Sequence, residues 1–117
     1  MKIVKDKMTI RELKDMAADM FGDIVKAVVD VEREIMAVDA ELHSDLEALL
    51  LECGSKQKDL WGINIYPKHK GDSFIEFDAM MNLRPSQGNK SRGVEDRALC
   101  SKIIDIVRKR IADGLSA

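Results

Sequence analysis

Four residues in the first half of the chain carry side chains suited to a hard cation or an acid–base reaction: Asp30, Glu34, His43 and Asp45. Carboxylate oxygens hold Mg²⁺ or Ca²⁺ when two or three converge within a few ångströms, and an imidazole adds a further ligand or a base. All four lie between Val28 and Leu51, a stretch that reads as two strands turning at Asp39-Ala40. In that register Glu34 stands opposite Asp45, and Met36 opposite His43. Carboxylates two apart on one strand sit about 7 Å from each other at Cα, so a shared cation needs both arms of the hairpin. A divalent cation is the only cofactor these residues suggest. No HExxH or DxDxDG run is present, and the same acids would serve equally well as a solvated sheet face.

A second group lies in the loop RPSQGNKSR. Arg84, Lys90, Ser91 and Arg92 surround Gly88, and guanidinium, ammonium and hydroxyl donors with backbone amides suit a phosphate or carboxylate. The spacing matches neither a P-loop nor a dinucleotide glycine pattern, and a turn-rich connection into the last helix explains it equally. Trp61, beside Gly62, is a candidate interface residue or a core anchor. His69 in KHK reads as exposed. Cys53 and Cys100 form no CxxC pair and read as small apolar residues in a reducing compartment.

The elements that must position these groups follow from local pattern. Lys2 to Lys5 suggests a short strand. Thr9 and Glu12 form a capping box, Met8 and Leu13 a hydrophobic staple, and Ile10, Leu13, Ala17, Met20 and Phe21 a helical apolar stripe that Gly22 ends. Val25 to Val38 reads as one long strand. Residues 41–53 admit two readings. As the second arm of the hairpin, they place Ser44 opposite Ile35 and Ala48 opposite Val31. As a helix, they carry a Ser44–Glu47 capping box and a stripe of Leu46, Leu49, Leu50 and Cys53, with Gly54 as the stop. Against the hairpin, Ala resists the positive φ of a primed turn and like charges would face each other.

Leu60 to Tyr66 is a strand ended by Pro67, and Phe74 to Arg84 has the cleanest period-two alternation in the chain. Val94 to Ala112 reads as a long helix with acids at its start, Arg108, Lys109 and Arg110 near its end, and Gly114 as its stop. These elements imply a single α+β domain over residues 1–117. It is a two-layer sandwich in which an antiparallel sheet of three to five strands carries an N-terminal and a long C-terminal helix on one face. The other sheet face would expose Asp30, Glu32, Glu34, Asp45, Glu47, Glu76 and Asp78, joined by Asn64, Tyr66 and Arg84.

The chain has 117 residues, 45% hydrophobic and 34% charged, with 19 basic against 21 acidic side chains and a net charge of -2. This balance argues against a dedicated nucleic-acid binder. No apolar run approaches the ~20 residues of a membrane span, and the first residues lack a signal-peptide core, so a cytoplasmic protein with no membrane partner is expected. The segments VKAVVDVEREIMAV, GSKQKDLWGINIYP and NLRPSQGNKS resemble an uncharacterised family of small bacterial proteins, a domain of unknown function. The resemblance spans nearly the whole chain. It implies Gly-Gly at the place of Asp39-Ala40, which favours the hairpin, and brings no catalytic residues. The expected function is a small non-enzymatic binding or interaction module that self-associates. The alternatives are a metal-dependent hydrolase using Asp30, Glu34, His43 and Asp45, with Arg84 on an anionic substrate, and a regulatory protein of the toxin–antitoxin kind.

Overall fold

The computed structural model describes residues 1–112. Its centre is a five-stranded antiparallel sheet in the order β1-β4-β3-β5-β6, built from β1 (Lys2–Val4), β3 (Val25–Asp30), β4 (Ile35–Val38), β5 (Leu60–Ile65) and β6 (Ile75–Glu76). Three helices complete the α+β fold: α1 (Ile10–Asp19), α2 (His43–Glu52) and α3 (Arg97–Arg110). A short parallel pair, β2 (Met8–Thr9) with β7 (Ile111–Ala112), ties the start of α1 to the end of α3.

The strand period sorts the core into two halves. Val25, Ala27 and Val29 of β3 and Trp61, Ile63 and Ile65 of β5 face α1 and α3, meeting Leu13, Ala17, Ile103, Ile106 and Val107. Val28, Ile35, Ala37 and Leu60 point the other way and are covered by Leu46 and Leu50 of α2. The N-terminal and C-terminal helices therefore share one face, as expected, and α2 adds a layer on the opposite face. Each fully buried Leu or Ile in these stripes contributes on the order of 2 kcal/mol through lost apolar exposure. Among the described residues no helix is long and apolar enough to cross a membrane.

Local signals for α1 act in part as read: Leu13 and Ala17 of the stripe are buried, whereas Met20 and Phe21 lie beyond the helix and are exposed. Thr9 Oγ1 accepts the Glu12 amide at 3.1 Å, and Met8 and Leu13 are both buried in one core. The Glu12 carboxylate does not reach back to the cap; it accepts from Lys2 Nζ at 2.9 Å. Gly22 takes a positive φ of 92° after the helix. At α3 the cap is Asp96, whose Oδ1 accepts the Ala98 amide at 2.9 Å, so the helix begins at Arg97 rather than Val94. The proposed Gly114 stop lies outside the described residues.

Four expectations are corrected. Val25 to Val38 is two strands, not one. Asp30 Oδ1 accepts the amides of Glu32 and Arg33, both at 2.9 Å, and Glu34 adopts a φ of 56°, which turns the chain between β3 and β4. The hairpin at Asp39-Ala40 is absent because residues 43–52 are helical. Helix α2 buries Leu46 and Leu50 completely, whereas a strand there would have faced Glu34 and Glu32 with Asp45 and Glu47. The Ser44–Glu47 box does not form: the cap residue is Leu42, with no side-chain cap bond among the described residues.

The fourth correction concerns residues 74–84. Only Ile75–Glu76 is strand; the chain then lifts off the edge of β5 and makes a 3-10 turn over Met80–Asn82.

Candidate functional site

The residues that sequence grouped for a metal are held apart. Asp30 is buried, 1% exposed, and both its oxygens are bonded within the fold: Oδ1 takes the two amides of the β3–β4 turn named above, and Oδ2 accepts the hydroxyl of Ser55, just after α2, at 2.6 Å. Glu34 pairs with Lys109 of α3, and that contact holds its carboxyl below the usual range. His43 and Asp45 lie in the first turn of α2, on the far side of the sheet from α3. Among the described residues no three His, Cys, Asp or Glu side chains stand close enough to share an ion. The pairing of Glu34 with Asp45 required the hairpin that α2 replaces.

The loop group is also dispersed. Arg84 is 9% exposed and its guanidinium is spent on the protein: Nε donates to Met81 O at 3.1 Å, Nη1 to Gln57 O at 2.6 Å, and Nη2 to Leu60 O. The same group lies 4.1 Å over the centroid of the Trp61 ring. Burial pulls its pKa down, and the Glu47 carboxylate opposes that. Trp61 is buried against the α1–α3 core, with Arg84 closing its open face. Arg92 Nε pairs with Asp78 at 2.8 Å, the Lys90 amide donates to Glu95, and Lys90 and Ser91 are exposed. The asparagines organise this loop. Asn89 Nδ2 donates to the carbonyls of Asn82, Ser91 and Gly93, and Asn89 Oδ1 accepts the Glu95 amide.

A different set of residues converges on the α2 face, where a cleft of about 480 Å³ opens between the start of α2, the sheet and residues 78–81. Its floor follows from register. Lys26 of β3 and Asn64 of β5 are cross-strand partners, and their side chains share the α2 face. Asn64 also pairs in register with Glu76. Next along β5 on that face is Gly62. A Cβ there would lie 2.6 Å from Ala79 Cβ, 3.1 Å from Met81 Sδ and 3.2 Å from His43 Cδ2. The missing side chain lets the 79–81 segment and the imidazole descend onto the sheet.

His43 Nε2 is 2.8 Å from Ile63 O. A carbonyl only accepts, so Nε2 carries the proton and Nδ1 of the neutral ring keeps its lone pair. Burial lowers the His43 pKa, with the Lys26 charge acting in the same direction; the Ile63 carbonyl, Asn64 and Asp78 act against it. The orientation of Asn64 is fixed likewise. Its Nδ2 donates to Glu76 Oε1 at 2.8 Å and to Asp78 O at 3.1 Å, both pure acceptors. That leaves Asn64 Oδ1, in a residue 6% exposed, with no hydrogen-bond partner among the described residues while the His43 ring is neutral; Asn64 favours the protonated ring. One turn along α2 from His43, Glu47 Oε2 is buried and unpartnered in the same sense. Leu42 and Met80, 55% and 64% exposed, form an apolar rim.

Of the residues grouped in sequence for a metal, an anion or an interface, only His43 and Arg92 line this cleft; Glu47, Asn64 and Asp78, read as part of the charged sheet face, line it too, and Lys26 carried no site reading. The available signal was Gly62 itself, since a glycine inside a strand marks close approach of another segment.

The chain belongs to a family described as a protein of unknown function, DUF5674, which matches residues 2–110. No curated protein and no solved structure matches the chain. The family has no assigned activity and so brings no catalytic residues to these positions.

Proposed function

We propose that this chain is a binding module whose α2-face cleft takes a small polar ligand without transforming it. The observation that carries the reading is the pair of buried acceptors, Asn64 Oδ1 and Glu47 Oε2, without donors among the described residues and in residues that line one cleft. A buried acceptor without a partner costs about 1–3 kcal/mol, and a ligand that supplies the donor recovers that as affinity. An apolar rim around a few convergent polar groups is the usual composition of a ligand site.

Binding rather than catalysis fits the state of the one candidate base. His43 is tied through Nε2 to a backbone carbonyl, and among the described residues no serine or cysteine is hydrogen-bonded to it. The free thiols of Cys53 and Cys100 are consistent with a reducing cytoplasm.

The test is an NMR titration of the full chain with a mixed set of cationic, anionic, zwitterionic and neutral fragments. Ligands should move the backbone amides of His43, Gly62, Asn64 and Ala79 together. A set in which no fragment moves them sinks the reading.

A further inference from the structure

We infer that the ligand of this cleft is a small zwitterion of the amino-acid type, with an ammonium end for the Glu47 and Asn64 acceptors and a carboxylate end for Lys26. This rests on the binding reading above and adds the chemical class.

The head group follows from the acceptors. Asn64 Oδ1 is locked facing away from Glu76 and Asp78, because Nδ2 satisfies both of those acceptors. Glu47 Oε2 is a carboxylate oxygen without a donor among the described residues. Both demand N–H or O–H groups, and a carboxylate bonds most strongly to a charged donor. A neutral hydroxyl compound would satisfy both acceptors but give Glu47 only a neutral donor; Arg84 acts on Glu47 through its charge, with no direct ion pair among the described residues.

The tail follows from the cations. A purely cationic ligand would meet Lys26 and Arg92 in the same cleft. Arg92 already pairs with Asp78 at 2.8 Å. Lys26 has no carboxylate partner among the described residues; its ammonium lies 5.1 Å from the Phe21 ring centroid. Lys26 and Arg92 balance Glu47 and Asp78 in the lining, so a ligand with no net charge adds none to the site. A carboxylate on that ligand gives Lys26 the partner it lacks.

The cover also fits. Both acceptor oxygens are shielded from solvent. Met80 and Met81, unbranched and adaptable, form part of the cleft wall, where a rotamer change is the smallest adjustment that would admit a ligand.

The experiment titrates the full chain with each standard L-amino acid by NMR and calorimetry. Any that binds is then compared with its C-terminal amide and its N-acetyl derivative. At least one amino acid should move the amides of residues 43, 62, 64 and 79. Removing either charge should weaken it about tenfold or more, which is the loss of about 1.4 kcal/mol. E47Q should weaken the amino acid while leaving its N-acetyl derivative unchanged, and K26M should do the same with respect to the amide. Unchanged melting of both variants separates these losses from misfolding. Equal binding of the N-acetyl or amide form overturns the inference, as does silence from every amino acid. If fragments of another class move the same amides while amino acids do not, the binding reading stands and the zwitterion falls. If nothing moves them, both fall.

Discussion

The side-chain amide of Asn82 pairs with Gly62 as a neighbouring strand would. Gly62 N donates to Asn82 Oδ1 at 2.8 Å, and Asn82 Nδ2 donates to Gly62 O at 2.9 Å. Strand β6 covers only the Asn64–Ile65 end of β5, so the Gly62 backbone would otherwise be an open edge. One side chain supplies both missing bonds, and its Nδ2 also reaches Arg92 O at 2.9 Å. Asn82 thereby fixes the 79–82 turn over the sheet and sets the wall of the cleft.

Replacing Asn82 tests this directly. N82A leaves the Gly62 amide and the Gly62 carbonyl without partners, while the Arg92 carbonyl keeps the Ala79 amide at 3.0 Å. At about 1–3 kcal/mol for each unsatisfied buried group, a loss of roughly 3 kcal/mol is expected after partial relaxation. N82D keeps the acceptor for Gly62 N but turns a carboxylate toward two carbonyls, so it should be at least as damaging. Urea unfolding monitored through Trp61 checks both; a change below about 1 kcal/mol in N82A would show the bonds to be incidental.

Gly62→Ala probes the close approach. The added Cβ meets Ala79 Cβ at 2.6 Å, so the 79–81 segment must shift. Overpacking of this kind costs about 1–3 kcal/mol. The shift should also move the amides of Ala79 and His43 in an NMR spectrum while leaving those of Leu13 and Ile103, on the opposite face, in place.

Where the sequence was legible, the signal was local. The Thr9 cap and the Met8–Leu13 staple depend on contacts a few residues apart: the Thr9 hydroxyl takes the Glu12 amide, and Met8 and Leu13 are buried in one core. Where it was not, a side chain stood in for backbone. Asp30 turns β3 into β4 with no glycine in the turn, so Val25 to Val38 looked continuous. Asn82 replaces a strand beside Gly62, so the alternation of residues 74–84 suggested a ladder that stops at Glu76. The ambiguity at residues 41–53 reflects a helix with one narrow apolar stripe, whose leucines also satisfied a period of two. The cleft was hidden for the same reason: Lys26, Glu47 and Asn64 come from three elements whose register no short-range pattern reveals.

The turn built on Asp30 gives a further test. D30A removes the acceptor for two amides and the Ser55 hydroxyl, and should cost roughly 3 kcal/mol. D30N keeps one oxygen for the amides and should cost less. Melting of the wild type should be unaffected by EDTA, Mg²⁺ or Ca²⁺, because both Asp30 oxygens are already occupied; a metal-dependent rise that D30N abolishes would reverse the assignment of Asp30 to the turn.

The contact of Arg84 with Trp61 should be energetically coupled. The guanidinium lies on the ring while donating to three carbonyls, a geometry a lysine cannot reproduce. A double-mutant cycle with R84K and W61L should return a coupling of about 0.5–2 kcal/mol. Additive losses would mean that Arg84 acts through its carbonyl bonds alone.

His43 should give stability a pH dependence of defined sign. In the unfolded chain its ring titrates near 6.5, and in the fold burial lowers that value. Above 6.5 both states hold the ring neutral, and its full contribution to stability is present. As pH falls below 6.5, the unfolded chain binds a proton that the native ring resists, so stability declines through the window between 6.5 and the lowered folded value. The ring faces Lys26, which deepens the effect, and Asn64, Asp78 and the Ile63 carbonyl, which limit it. H43Q can still donate to Ile63 O but does not titrate. Urea midpoints compared from about pH 8 to about pH 5 should fall more steeply in the wild type than in H43Q, which isolates the histidine from the carboxylates common to both. Parallel profiles would show that His43 takes up its proton without hindrance in the fold. Nδ1 would then be a donor to the cleft below neutral pH, not the acceptor that a neutral ring provides.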